Sequence, residues 1–396
     1  MAPAPNRSER RLVLLIGAVV FVDTMFYAAI APLLPTLAHQ LALSKLSAGV
    51  LTASYPIGML LGSVPGGLLV VRTGPRFTVC AGLALLAGST LAFGFLENAA
   101  ALDAARLIEG LGGACSWAGG LAWIVAEAPL ERRGRLIGDA IGAAIGGALF
   151  GPVIGTVATA IGRAATFSAV VLLAFWLIAE ARRQPSLPAA APQGMRHLRA
   201  ALCHRSMVVA MWLVSVPAIA SGLISVLGPL RLHQLGAGAA AIGATFVVAT
   251  AIEALISPVV GRLSDRSGRM LPMQFGLAGA IVVLLCFPLP TNAALLALIV
   301  VGTSVSLSAF WAPGMALLSD EAESRGLDQA FAAALMNVAW AGGQILGSGG
   351  GGAVAKATGD AVPIAIAAAM FALTLFLTTG AAHSAARQRP ARPLAP

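Results

Sequence analysis

The polar segment Gly261-Arg262-Leu263-Ser264-Asp265-Arg266-Ser267-Gly268-Arg269-Met270 interrupts two long apolar runs. The segment Gly67-Leu68-Leu69-Val70-Val71-Arg72-Thr73-Gly74-Pro75-Arg76 does the same 194 residues earlier. A second pair of stretches repeats at nearly the same interval. Gly146-Gly147, Gly151 and Gly155 recur as Gly342-Gly343, Gly347 and Gly351, 196 residues on. An internal repeat at such a period, made of runs long enough to cross a bilayer, is the architecture in which two bundles enclose a central path.

Working outward, the apolar runs parse as twelve spans at 12–34, 47–70, 77–96, 102–126, 136–160, 164–181, 207–229, 239–261, 270–289, 293–318, 329–354 and 360–382. Each has the length a membrane helix needs, about 20 residues, and none alternates as a barrel strand does. Composition agrees. Of 396 residues, 58% are apolar and only 10% charged, against roughly 25% charged in a soluble domain. A soluble enzyme, a secreted disulfide scaffold and a disordered chain are excluded. The 45 glycines permit close helix contact.

The net charge of +9 suggests nucleic acid only if the basic residues form a groove. Instead, 20 of the 25 Lys and Arg fall in alternate links if the N-terminus is cytoplasmic, leaving Lys45, Arg106, Arg163, Arg231 and Lys356. That bias predicts both termini inside. The Pro- and Arg-containing stretch 182–206 reads as a cytoplasmic linker with a surface helix near 195–205. It divides bundle 1–181 from bundle 207–382, ahead of a cytoplasmic tail at 383–396. Cys80, Cys115, Cys203 and Cys286 lack metal-like spacing, and His39, His197, His204, His233 and His383 form no cluster. No cofactor, metal or nucleophile constellation is expected.

The paired loops resemble the signature loop of the major facilitator superfamily. Gly261, Asp265, Arg266, Gly268 and Arg269 match it nearly completely. The first copy, with Gly67, Arg72, Gly74 and Arg76, departs from it at Val71, where an acid is expected, and at Pro75, where a basic residue is. The stretch Gly142, Gly146, Gly147, Gly151, Pro152 and Gly155 resembles the span-five motif of that family's antiporters. Arg106 to Ala114 resembles its span-four arginine motif, linked to proton coupling. Val22-Asp23-Thr24-Met25 with Ala31-Pro32-Leu33-Leu34-Pro35 resembles the first span of drug:proton antiporters and vesicular amine transporters. The resemblance implies an all-α fold of two pseudo-symmetric six-helix bundles, monomeric, with gating at the loops and an acid in span one that serves cation binding or proton coupling.

The residues themselves carry part of that reading. Asp23 lies about midway along span one, where charge is costly, so it serves either a substrate or proton or as a structural polar bond. Arg106 and Glu109, three apart, share a helix face. They read as an internal ion pair, or Arg106 holds another carboxylate charged until proton or substrate exchanges with it. Glu253 is a mid-span acid without a basic neighbour on its own span. Tyr27, Tyr55, Trp311, Asn337, Trp340 and Gln344 are candidates for cavity lining, suited to a cationic ligand with an apolar body. Trp123 and Trp212 read as interface anchors. Asp320, Glu321, Glu323, Arg325 and Asp328 follow span ten on the cytoplasmic side and read either as partners of the basic loops that close an inner gate or as a solvated charge run. The expected protein is a secondary transporter of a bacterial inner membrane, exporting small organic, cationic or amphipathic compounds against protons. Import or facilitated passage of a sugar, organic acid or other metabolite is the alternative.

Overall fold

The computed structural model describes residues 7–127, 130–185, 200–327 and 329–387. Among the described residues the regular structure is helical throughout, the form in which a chain satisfies its backbone hydrogen bonds inside lipid. The predicted first span is a rod in two pieces, α1 (Arg7–Ala28) and α2 (Ile30–Gln40). Pro32 has no N–H to offer the Ala28 carbonyl four residues back, and the helix breaks there. There follow α3 (Lys45–Thr73), α4 (Pro75–Phe95), α5 (Ala99–Glu127), α6 (Leu130–Ile161) and α7 (Arg163–Arg183). The later part holds α8 (Arg205–Gln234), α9 (Ala239–Ser267), α10 (Met270–Cys286) and α11 (Ala293–Ser324). The eleventh predicted span is α12 (Gln329–Ile345), a π turn (Leu346–Gly350) and α13 (Gly351–Thr358). Last comes α14 (Ala361–Arg387).

Nine helices among the described residues are long and apolar enough to cross a membrane. The other three predicted spans depart for visible reasons. α5 carries Asp103, Arg106 and Glu109, α10 is 17 residues long, and the glycine run Leu346–Gly350 widens into the π turn that ends α12. Helices α7 and α14 run past the predicted span ends to Arg183 and Arg387. Of the linker, residues 186–199 lie outside the described residues, as do 388–396 of the tail.

Packing repeats with the sequence. In the first half of the chain the most extensive helix contacts are α3 with α5, α4 with α5, α1 with α6, and α4 with α7. In the second half the corresponding pairs, α9 with α11, α10 with α11, α8 with α12, and α10 with α14, are again in extensive contact. The four pairings recur shifted by one repeat, but α8 also packs on α11 more extensively than α10 does on α14, a contact that is much smaller between α1 and α5. The glycine stretches explain one of them. A Cβ on Gly147, Gly151 or Gly155 would collide with the backbone of Phe21, Met25 or Ala29, and one on Gly343 or Gly347 with that of Ser215 or Ile219. Helix axes can approach this closely only where side chains are missing. Gly142 faces open space, and Gly146 meets only the Phe21 ring.

The loop glycines match as well. Gly74 has φ 88° and ψ 162°, and Gly268 has φ 86° and ψ 155°, a region essentially reserved for glycine. Trp123 corrects its sequence reading. It is fully buried, and its indole N–H donates to Glu127 Oε1 at 2.8 Å, because a carboxylate one turn on satisfies the group an anchor would offer to lipid headgroups. Trp212 is exposed, with its N–H donated to Thr374 at 3.1 Å.

Candidate functional site

The break in the first rod creates the site. Carbonyls at a helix C-terminus need donors from outside the helix, and Arg106 on α5 provides them. Its Nη1 donates to the Phe26 carbonyl and its Nη2 to that of Tyr27, both at 3.3 Å. A cation there also meets the negative end of the α1 dipole. One turn along α5, Glu109 accepts from Arg106 Nη1 at 3.0 and 3.1 Å with its two oxygens. Arg106 is 2% exposed and Glu109 3%, so the pair is desolvated and each charge depends on the other. Arg106 pairs with Glu109 and makes no hydrogen bond to Asp23.

Asp23 sits one turn before Phe26 and is wholly buried. Its Oδ2 accepts from the Tyr55 hydroxyl at 2.9 Å and from the Trp117 indole N–H at 3.0 Å. Its Oδ1 is buried and has no hydrogen-bond partner among the described residues. Gly113 keeps that oxygen's surroundings open, since a Cβ there would lie 2.7 Å from Oδ1 and 2.8 Å from the Tyr55 hydroxyl. Tyr55 bridges the two charged groups, with its hydroxyl on Asp23 and its ring 5.3 Å from the Arg106 guanidinium. Trp117 was missed in the sequence reading. The signal was present: Arg106, Gly110, Gly113 and Trp117 recur at the spacing of one helix face.

An aromatic column leads from this cluster to the second half. Tyr55 and Tyr27 lie 4.9 Å apart by ring centroids, and Trp340 of α12 meets Tyr27 edge-on at 5.6 Å. One turn from Trp340, the Gln344 amide donates to the Ser221 hydroxyl at 2.8 Å. The structure therefore brings together Asp23, Arg106, Glu109, Tyr27, Tyr55 and Trp340. Trp311 packs instead against the apolar cluster around Met207, Val214 and Leu318, and Asn337 is half-buried on α12. Glu253 is half-buried on α9, outside this network, with no hydrogen bond or ion pair among the described residues.

The paired loops bond within their own halves. Arg76 donates to the Gln184 carbonyl at the end of α7, at 3.2 Å. Arg269 Nε lies 2.7 Å from Asp320 and its Nη1 3.8 Å from Asp265. Arg325 lies 2.8 Å from Glu321, which also accepts from Ser206 at 2.5 Å. Arg72 and Arg266 are exposed, and a Cβ on Gly67 or Gly261 would meet nothing. Asp328 lies outside the described residues. No group of His, Cys, Asp and Glu suited to a metal ion occurs among the described residues.

Known proteins place this geometry in a family. The family model described as Major Facilitator Superfamily matches residues 16–348 and, in a second match, 216–395. The chain resembles a probable vesicular acetylcholine transporter of Danio rerio, 31% identical over 34% of this chain and 29% of that protein. It also resembles a 4-hydroxybenzoate transporter of Pseudomonas putida, 29% identical over 27% of this chain and 24% of that protein. The matched stretch thus spans under a third of these relatives' length. A bacterial homologue of the human lysosomal transporter Spinster, solved inward-facing and unoccupied, superimposes with a TM-score of 0.78 at 13% identity, covering 99% of this chain and 100% of that one. With its family model matched over most of its length and its fold shared end to end, the chain belongs to the Major Facilitator Superfamily and is a multi-pass membrane protein.

Proposed function

We propose that the protein is a proton-coupled exporter of small organic, cationic or amphipathic compounds, with twelve spans in two six-helix bundles and both termini in the cytoplasm of a bacterial cell. The observation that carries the coupling is Asp23, a buried carboxylate with one oxygen held by two donors and the other unpartnered. A proton on Oδ1 leaves both bonds to Oδ2 intact, so the group changes charge without rebuilding its surroundings. The charged form attracts a cation. The protonated form releases it.

The cycle follows from that alternation. A periplasmic proton neutralises Asp23 and favours substrate release, the protein turns inward, the proton leaves to the cytoplasm, and the restored charge recruits cytosolic substrate. The Tyr27–Tyr55–Trp340 column supports an aromatic-lined route between the halves, which suits a cation with an apolar body. Likeness over a limited stretch to a transporter named for acetylcholine supports a cationic substrate. Likeness to one named for 4-hydroxybenzoate supports the second reading, uptake of an organic acid. The test uses purified protein in liposomes with an internal pH indicator, challenged from one side with organic cations and then organic acids. Export by antiport predicts a cation-specific proton flux opposite in direction to the solute. Proton flux in the same direction as an organic acid would replace it with the uptake reading.

A further inference from the structure

We propose that Lys45, Asp360 and Arg231 form an ionic clamp that closes the end of the molecule remote from the paired loops, and so sets the equilibrium between its two access states. Lys45 is the first residue of α3, in the first half; Asp360 lies in the link between α13 and α14, in the second. Their Nζ–Oδ1 distance is 2.6 Å, and the Asp360 side chain is 8% exposed. Among the described residues this is the one ion pair that joins the two halves.

The second cation gives the clamp its character. Arg231 Nη1 lies 3.7 Å from Asp360 Oδ2, and its Nη2 donates to the carbonyls of Pro288 and Pro290 at 2.9 and 3.4 Å. Arg231 is therefore tied into the second half together with Asp360. When the halves part, Lys45 leaves while Arg231 stays, and Asp360 is never stranded as a lone buried charge. Lys45 has no such second partner. It stands at the N-terminus of α3, where the helix dipole disfavours a cation, so it gains from closure more than Asp360 does.

The backbones beneath the clamp are built to meet. Gly49, one turn beyond Lys45, faces the π turn, and a Cβ on it would collide with the Ser348 carbonyl. A Cβ on Gly352 would lie 2.6 Å from the Lys45 carbonyl. The clamp thus sits at the mouth of a glycine seam between α3 and α13.

The experiment places spin labels at Gln40 and Gln234, exposed ends of the packed helices α2 and α8, in full-length protein whose four cysteines are replaced. Distance distributions are compared for the parent, Lys45→Gln, Lys45→Arg and Gly49→Val. The clamp predicts that Lys45→Gln raises the longer-distance population about fivefold, that Lys45→Arg restores the parent distribution, and that Gly49→Val opens the end with the clamp residues present. An unchanged distribution in Lys45→Gln while Gly49→Val shifts it would overturn the proposal, because packing alone would then hold the end closed. An unchanged distribution in both would overturn it equally. The readout needs no substrate and no proton gradient, so it fails or succeeds independently of the export reading.

Discussion

The first and second halves of the chain pack alike and differ in what they bury. Gly147 and Gly151 press α6 onto the backbone of α1, just as Gly343 and Gly347 press the eleventh rod onto α8. Yet the position 194 residues after Asp23 is Pro217. Helix α11, the counterpart of α5, carries no charged residue before Asp320. The second half offers Glu253 on α9, outside any bonded network among the described residues. The seams repeat because the glycine stretches repeat. In the export proposal the coupling chemistry needs only one titrating centre, Asp23 of the first half.

The largest expected effect breaks the asymmetric side. Arg106→Ala leaves Glu109 as a buried unpaired charge and removes the donors at the end of α1, at a cost of about 3–5 kcal/mol. Thermal unfolding in detergent should show it, and the double variant with Glu109→Ala should recover part of the loss. No recovery would mean that the α1 carbonyls, not Glu109, are what Arg106 supports.

Next comes the symmetric side. Gly147→Val and Gly343→Val should each destabilise by about 1–3 kcal/mol through overpacking, and by similar amounts. A tolerant Gly343 would show that the second seam is looser than the first. Trp117→Phe removes one hydrogen bond to Asp23 and part of the indole's packing, expected to cost about 1.5 kcal/mol or more and to alter the pH profile of transport. Glu253→Gln is the smallest, within about 0.5 kcal/mol. If it nevertheless abolishes proton flux, the chemistry is shared by both halves and the asymmetry fails.

Much of this was legible in the sequence, for reasons that differ from residue to residue. The glycines at 74 and 268 announced identical turns because no other residue suits that backbone. Nine of the twelve predicted spans announced themselves through length and composition among the described residues, and the Arg106–Glu109 pair through its spacing of three. Long-range partners were not legible. Lys45 and Asp360 are 315 residues apart, and Lys45 counted in the sequence only as an exception to the charge bias. Trp123 looked like an interface anchor because side-chain burial depends on neighbours from other helices. The widening of Leu346–Gly350 into a π turn was prefigured by glycine density, but density alone does not distinguish a packing seam from an irregular turn.

The measurement that bears most directly on the central claim compares Asp23→Asn with the parent protein in two modes, in the same liposomes and with the same solute. Asparagine keeps the size and the acceptor oxygen for Tyr55 and Trp117 but takes up no proton. The expected result is that gradient-driven accumulation and the accompanying pH change disappear, and that cation exchange without a proton gradient falls with them, because the neutral side chain matches the form that releases the substrate. Gradient-driven transport at the parent rate in Asp23→Asn would contradict it.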